Sequence, residues 1–503
     1  MARVTFALLL MMSSMASSLS TENILVKTNK VMQEIDDMFV GFTLDTYLLR
    51  VGWGQFNFSS PKALNLMKAM APCYIRVGGS LAESLVFDPN AGPVTHVPPL
   101  GQPFKLTPTR WKELNDFIQH AGLKLIFAFN ALLRNNDLWD PTNAELLMNY
   151  SSQKHYDIAG WELGNEPDLY VRNGRINVTG AMMGADFTEL RQILDKSPYK
   201  ASLLIGPDMT PLDGYRDPMM REFLSHGGAS AVDVLTIHHY YFNGHTAHEG
   251  DFLSLWWLNK LASRMIHAVD LINDYHPVRP LWLGETSTAW SGGALHLSDA
   301  YAAGFLWLDK LGVCARYGIK GVLRQSLYGG NYGVLESSMD PNPDYWLTLL
   351  YKRLVGNKVF DVTSPSKFVR VYAHCTKMKN MYHYNPGSVT VYAMNVNNDS
   401  AVLRFPHMLG QGHLDVFWLT PQRGSLRAKV VELNGKAITY TNNVIPPLQP
   451  KTVTSGSVTI PSSFFRLHRG TKRRPRRLQV TEPGTSHWLK QEFDLVTVKG
   501  CAI

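Results

Sequence analysis

Cysteine is scarce: only Cys73, Cys314, Cys375 and Cys501 occur in 503 residues. So few exclude a disulfide scaffold, and a chain of this length stabilises itself by burial. Cys73 and Cys314 sit in apolar or helical runs and read as buried thiols, and Cys375 and Cys501 are candidates for one bridge. No four are spaced as zinc ligands, and no H-E-x-x-H occurs. Past the N-terminus no run of about 18 apolar residues appears, which excludes a membrane-spanning helix there. No G-x-G-x-x-G follows the first strand-like run, which argues against a dinucleotide-binding open sheet. Ser287 lacks the G-x-S-x-G setting of a nucleophilic serine. Charged residues make up 18% of the chain and hydrophobic ones 45%, too apolar for disorder.

The net charge of +8 is badly distributed. Arg466, Arg469, Lys472, Arg473, Arg474, Arg476 and Arg477 carry seven positive charges with no acid between them. The remaining body is nearly neutral, so no nucleic-acid partner is expected, and the 466–477 run reads as a solvated basic insertion. Residues 1–18 combine Arg3, an apolar stretch from Val4 to Met12 and the small residues Ala16 and Ser18, the pattern of a secretory signal peptide. Sequons at Asn57, Asn149, Asn177 and Asn398 fit that route. A secreted, extracellular-matrix or lysosomal location is expected.

Short apolar runs alternate with helical stretches eight times: Phe39–Leu44, Cys73–Val77, Leu123–Phe129, Asp157–Leu163, Ser202–Ile205, Val232–Ile237, Pro280–Gly284 and Gly318–Leu323. Eight such β-then-α units over 38–355 predict a (β/α)8 TIM barrel. After Val355 alternating segments separated by Gly, Pro and Asn, the last of them Thr452–Ile460, predict an antiparallel β-sandwich. Residues 19–37, with the β-prone Asn23–Val26, join it, giving a second domain of 19–37 plus 356–503 that the basic run interrupts near its end.

Active sites of such barrels collect where strands end. The polar residues there are Asp45, Arg76, Asn130, Asn165, Glu166, Asp208, His238 to Tyr241, Glu285, Arg324 and Gln325. Glu166, at the exit of the fourth strand and followed by Pro167, and Glu285, at the exit of the seventh, form a pair able to face each other across the mouth. Glycoside hydrolysis needs one carboxyl to protonate the leaving oxygen and another to attack the anomeric carbon. His238 and His239 are neighbours on a strand and point to opposite faces, so they do not share an ion. No metal and no cofactor are expected; a tyrosine hydroxyl of the run donates to Glu285 and keeps it ionised.

The segments Trp161-Glu-Leu-Gly-Asn-Glu-Pro167, Trp282-Leu-Gly-Glu-Thr-Ser287, His238-His-Tyr-Tyr241, Asn130-Ala-Leu-Leu-Arg134, Asp299 to Gly312 and Pro343-Asp-Tyr-Trp-Leu347 resemble the heparanases, endo-β-glucuronidases of glycoside hydrolase family 79. The resemblance runs from about Val40 to about Pro461. It implies that Glu166 is the proton donor and Glu285 the nucleophile. It also implies that Asp45, Asn165, His238, Tyr240, Gly292, Gln325, Gly330 and Tyr332 line the sugar subsites, and that Cys375 pairs with Cys501. The implied partner is a glycosaminoglycan, heparan sulfate first. Three departures stand out. Only residues 88–109 separate Phe87 from Arg110, where vertebrate members carry a long excised segment, so the chain is expected to act without linker excision. Asn243-Gly244-His245 has His where the family has Arg, and Met209 to Tyr215 lacks a basic cluster. The arginine-rich run is foreign to the family and falls where a final strand is expected. Leech-type hyaluronidases share the barrel, so hyaluronan is the alternative substrate; a glycosaminoglycan-binding protein without turnover is the alternative from another class.

Overall fold

The computed structural model describes residues 20–54, 56–92, 96–379, 381–397, 399–406, 414–454 and 456–460, and the backbone of 493–498. The expected signal peptide, the Asn398 sequon, Cys501 and the basic run lie outside the described residues. The chain opens with β1 (Ser20–Asn23) and β2 (Leu25–Glu34). Eight parallel strands follow: β3 (Val40–Asp45), β4 (Tyr74–Gly78), β5 (Lys124–Phe129), β6 (Ile158–Leu163), β7 (Leu203–Met209), β8 (Val234–His239), β9 (Leu281–Thr286) and β10 (Gly321–Arg324). They close in sequence order, β10 pairing with β3, into one barrel.

The outer helices start where the sequence supplies caps. Ser60 accepts the Ala63 N–H and Pro61 begins α1 (Pro61–Met70). Thr107 does the same for Arg110 ahead of Pro108 in α2 (Pro108–Ala121), which ends at Gly122 in the left-handed region. Proline suits a first helical position because its missing N–H has no partner there in any case. The barrel interior fills by pairing large side chains with glycines. A Cβ on Gly41 would lie 2.4 Å from Leu323, and one on Gly160 2.7 Å from Ile205. Ile126, Ile205, Val234, Trp282 and Leu323 make an apolar plug apart from the main core.

Two further helices, α3 (Ala303–Arg316) and α4 (Pro343–Leu354), are buried almost all round. They lie between the barrel and an antiparallel sheet built on β11 (Val355–Thr363), β12 (Val369–Thr376), β13 (Val389–Asn395), β15 (Leu414–Pro421) and β18 (Phe493–Val498), with β2 on the β11 edge. Asp309 of α3 fixes this seam by accepting from Arg370 at 2.8 Å and from the Tyr372 hydroxyl. A smaller sheet, β1, β14 (Ala401–Arg404) and β17 (Ser457–Ile460), covers the outer face across a core that includes Ile24, Leu403 and Val416.

Three expectations need correction. The segment expected as one strand over Thr452–Ile460 is two: β16 (Lys451–Val453) pairs with β15, and β17 pairs with β14, because Gly456 at φ 64° turns the chain between sheets. The strand that joins β13 to β15 is β18, which follows the basic run instead of being replaced by it. β7 runs on to Met209 although Gly206-Pro207 reads as a stop. Its ladder with β8 skips from Gly206 to Met209, so the proline, which has no N–H to give, sits in an irregularity. Cys73 and Cys314 are buried free thiols; the Cys375 thiol is free in this structure, and its expected partner lies outside the described residues. Asn57, Asn149 and Asn177 are exposed.

Candidate active site

The three strands that deliver the central side chains are all irregular at their C-terminal ends. The β7–β8 ladder shifts between Gly206 and Met209, β8–β9 between Ile237 and His238, and β9–β10 between Leu283 and Thr286. Such bulges re-aim side chains that regular pleating would send outward. Asp208 and Glu166 both take left-handed backbone angles, φ 55° and φ 50°. The Glu166 amide donates to the Asp208 carbonyl at 2.9 Å, so each turn braces the other.

Arg76, fully buried on β4, is the hub. Its Nε donates to Glu162 Oε2 at 2.7 Å, Nη1 to Glu285 Oε2 at 3.0 Å, and Nη2 to both Asn165 Oδ1 and Asp208 Oδ2 at 3.0 Å. Glycine makes the room: a Cβ on Gly78 would stand 2.6 Å from the guanidinium carbon, and one on Gly284 2.6 Å from Asp208 Oδ1. Three carboxylates about one cation do not all stay ionised in a dry site. Burial pushes Glu162 well up against the pull of Arg76, whereas Arg76 and His238 hold Asp208 well below the usual range despite its burial.

Glu285 receives a second donor, the Tyr240 hydroxyl, at 2.5 Å on Oε1. Its two oxygens are thus held by a phenol and a guanidinium, the latter a charge-assisted contact. Glu166 meets a different environment. Burial raises its carboxyl, His238 opposes that, and the negative charge of Glu285 raises it further. His238 bridges Glu166 Oε1 at 3.0 Å through Nδ1 and Asp208 Oδ1 at 3.2 Å through Nε2. Burial alone would lower this imidazole, but Glu285, Asp208 and Glu166 outweigh it and carry it up to about 10. One oxygen of Glu166, one of Glu285 and a ring nitrogen of His238 lie within 4.8 Å of one another. This trio has the composition of a metal site, yet each member already has a partner in the protein: Glu285 is held by Arg76 and Tyr240, and Nδ1 of His238 meets Glu166.

The other expected residues gather nearby. Gln325 donates to Asp45 Oδ2 at 3.0 Å and to the Tyr332 hydroxyl at 3.2 Å, and accepts from Thr43. Burial and the charge of Glu285 push the Asp45 carboxyl up to about 6. Gly292 and Gly330 have φ of 79° and 65°; a side chain on Gly330 would strike the Tyr332 ring, while Gly292 faces open space. His239 points the other way, against Tyr241, and its carbonyl accepts from the buried Lys310. Asn130 is spent on loop structure, bonding the Leu85 carbonyl and the Leu132 amide. Arg324 is held by Asp344 at 2.7 Å.

Sequence reasoning noted Arg76 and Asp208 only as strand-end polar residues and missed Glu162 and Glu83. The available signal was an arginine inside the apolar run Tyr-Ile-Arg-Val, which must find anions if it points into a barrel. Glu83 accepts the Asn165 N–H and the Tyr170 hydroxyl, each at 2.6 Å.

A closed (β/α)8 barrel with two differently buried carboxylic acids at the C-terminal ends of its strands is the class of a glycoside hydrolase. The chain matches the description "Glycosyl hydrolase family 79, N-terminal domain" over residues 21–312. It belongs to that family. It is 37% identical to heparanase of Bos taurus over 86% of this chain and 87% of the relative. It is 32% identical to hyaluronoglucuronidase of Hirudo nipponia over 87% and 96%. Among solved structures, a 4-O-α-L-rhamnosyl-β-D-glucuronidase from Fusarium oxysporum shares the fold with a TM-score of 0.68 at 15% identity, covering 95% of this chain and all of that one.

Proposed function

We propose that this glycoside hydrolase is a retaining endo-β-glucuronidase of glycosaminoglycan chains, heparan sulfate first, with Glu285 as nucleophile and Glu166 as acid/base. One observation carries the reading: an oxygen of Glu166 and one of Glu285 lie within 4.8 Å, the Glu166 carboxyl raised by its burial and the two Glu285 oxygens held by Tyr240 and Arg76. Retaining enzymes hold their carboxyl groups about 5–5.5 Å apart, and inverting ones leave about 6.5–9.5 Å for a water.

In the first step a Glu285 oxygen bonds to the anomeric carbon as the glycosidic C–O bond breaks, and Glu166 passes its proton to the departing oxygen. Esterified Glu285 no longer carries the charge that raises Glu166, so the Glu166 carboxyl becomes more acidic and stays ionised as a base. It then takes a proton from water as the water oxygen displaces Glu285. Asp45, protonated below about pH 6, offers a donor to a sugar hydroxyl beside the nucleophile.

Hyaluronan is the second reading, favoured by the engagement of arginines in the βα-loops. Arg134 is bound to Asp186 at 2.7 Å, Arg175 to Glu83 at 3.0 Å, and Arg216 to both Asp168 and Asp213 at 2.8 Å. Sulfate is gripped by fixed, unspent guanidinium groups. A secreted or lysosomal, single-chain enzyme is supported by the exposed sequons and by the short stretch joining Phe87 to Phe104; among the described residues no helix is long and apolar enough to cross a membrane. The test is reducing-end release from heparan sulfate and from hyaluronan at mildly acidic pH. Glu166→Gln and Glu285→Gln are each expected to abolish it, and turnover that survives both replacements refutes the proposal.

A further inference from the structure

The turn that carries Glu166 is held by a second, separate set of buried groups. Gly164, at φ 79°, leads into Asn165 and then Glu166 at φ 50°, two left-handed residues within three positions. Glu83 reaches this turn from the loop after β4, and its side chain is fully buried. Its Oε1 accepts the backbone N–H of Asn165 and the hydroxyl of Tyr170, both at 2.6 Å. Its Oε2 pairs with Arg175 Nη1 at 3.0 Å, while Arg175 Nη2 donates to the Ser80 carbonyl at 2.7 Å. One carboxylate therefore ties the β4 loop to the β6 loop at the residue immediately before Glu166. The fit is close: a Cβ on Gly164 would lie 2.5 Å from the Tyr170 oxygen.

We infer that Glu83, with Tyr170 and Arg175, is a positioning clasp that sets the aim of Glu166 toward the leaving oxygen without touching substrate. Among the described residues Glu83 and Glu285 share no direct partner; the link between them runs through the Asn165 side chain to Arg76, which donates to Glu285 through a different nitrogen and is held independently by Glu162 and Asp208. Loosening the clasp is therefore expected to impair proton donation and to spare nucleophilic attack. The inference rests on Glu166 being the acid/base. A misplacement of about 1 Å at a catalytic group costs roughly 100-fold in rate.

The test compares two leaving groups: a sugar hydroxyl in the natural chain, which needs a proton, and a dinitrophenolate on a glucuronate-terminated oligosaccharide, which does not. Glu83→Leu is expected to lower kcat on the natural chain by about 10- to 100-fold, with KM nearly unchanged, and to lower first-turnover release of dinitrophenolate, which precedes the step in which Glu166 acts as base, by less than about threefold. Glu83→Gln retains an acceptor for the Asn165 amide and is expected to restore most of the loss. If Glu83→Leu does not fold, Tyr170→Phe removes one member of the clasp and is expected to show the same selective loss at smaller size. Equal losses on both substrates, or none, in a folded variant overturn the inference. Glu166→Gln, measured in parallel, separates the two readings. If it spares dinitrophenolate release in the first turnover and Glu83→Leu does not, the clasp alone falls. If it leaves both rates unchanged, the acid/base assignment falls and the clasp with it.

Discussion

Arg76→Met is the most informative single perturbation of the site. Methionine fits the space of the stem but returns none of the four hydrogen bonds to Glu162, Glu285, Asn165 and Asp208. Breaking one buried ion pair by removing one partner costs about 3–5 kcal/mol, because the remaining charge is left uncompensated. The folded protein limits that cost by binding protons: without the guanidinium, burial raises the Asp208 carboxyl that Arg76 holds low, and Glu162, already raised by burial, rises further. The folded variant then holds more protons than its unfolded chain at neutral pH, so its stability increases as pH falls. Each extra bound proton contributes about 1.4 kcal/mol per pH unit. Unfolding by urea, followed by tryptophan fluorescence alongside the parent protein, is expected to show a deficit of about 3–5 kcal/mol at pH 8 and less than half of that at pH 5. A deficit that is the same at both pH values, or below about 1 kcal/mol at pH 8, refutes the hub argument.

Tyr240→Phe removes the phenol bound to Glu285 Oε1 at 2.5 Å. A hydrogen bond to a charged group is worth about 1.5–3 kcal/mol, so kcat/KM is expected to fall roughly 10- to 150-fold with little change in melting temperature. Gly284→Ala places a methyl 2.6 Å from Asp208 Oδ1 and 3.1 Å from Thr236. It is expected to cost about 1–3 kcal/mol in unfolding experiments and to depress activity. The parent protein is expected to gain more, or lose less, in melting temperature from pH 8 to pH 5 than the His238→Gln variant does. Asp45 is raised to about 6, Glu83 to about 7 and His238 to about 10 in the folded state. Raised groups contribute stability that is complete below the unfolded pKa and is lost as pH rises through the folded one. Asp208, held low, works in the opposite sense only below about pH 4. The buried His239, His374 and Lys310, held low by burial, work in the opposite sense in both proteins, so a pH dependence that is the same in His238→Gln contradicts the His238 assignment.

The barrel was legible because all eight parallel strands carry compact apolar runs and some helices announce their start, as Ser60-Pro61 and Thr107-Pro108 do. Glu166 and Glu285 were legible because strand-end position alone predicts convergence in this fold. Arg76 was seen without its role, since a charge inside a strand has no visible partner until the barrel brings Glu162, Asp208 and Glu285 to it from residues 86 to 209 positions away. Glu83 was missed because its partners, the Asn165 amide, the Tyr170 hydroxyl and Arg175, lie 82 to 92 positions away and leave no mark on local pattern. The end of β7 was misjudged because Gly206-Pro207 signals a break locally, whereas the bulge that absorbs the proline depends on the neighbouring strand β8.

The central claim is that Glu285 forms a covalent bond to the sugar. Incubation with a 2-deoxy-2-fluoro-glucuronosyl oligosaccharide bearing a good leaving group, followed by proteolysis and peptide mass spectrometry, tests it directly. The account predicts a single sugar adduct on the peptide containing Glu285, formed also in Glu166→Gln. An adduct on another residue, or turnover of the probe with inverted anomeric configuration and no adduct, contradicts it.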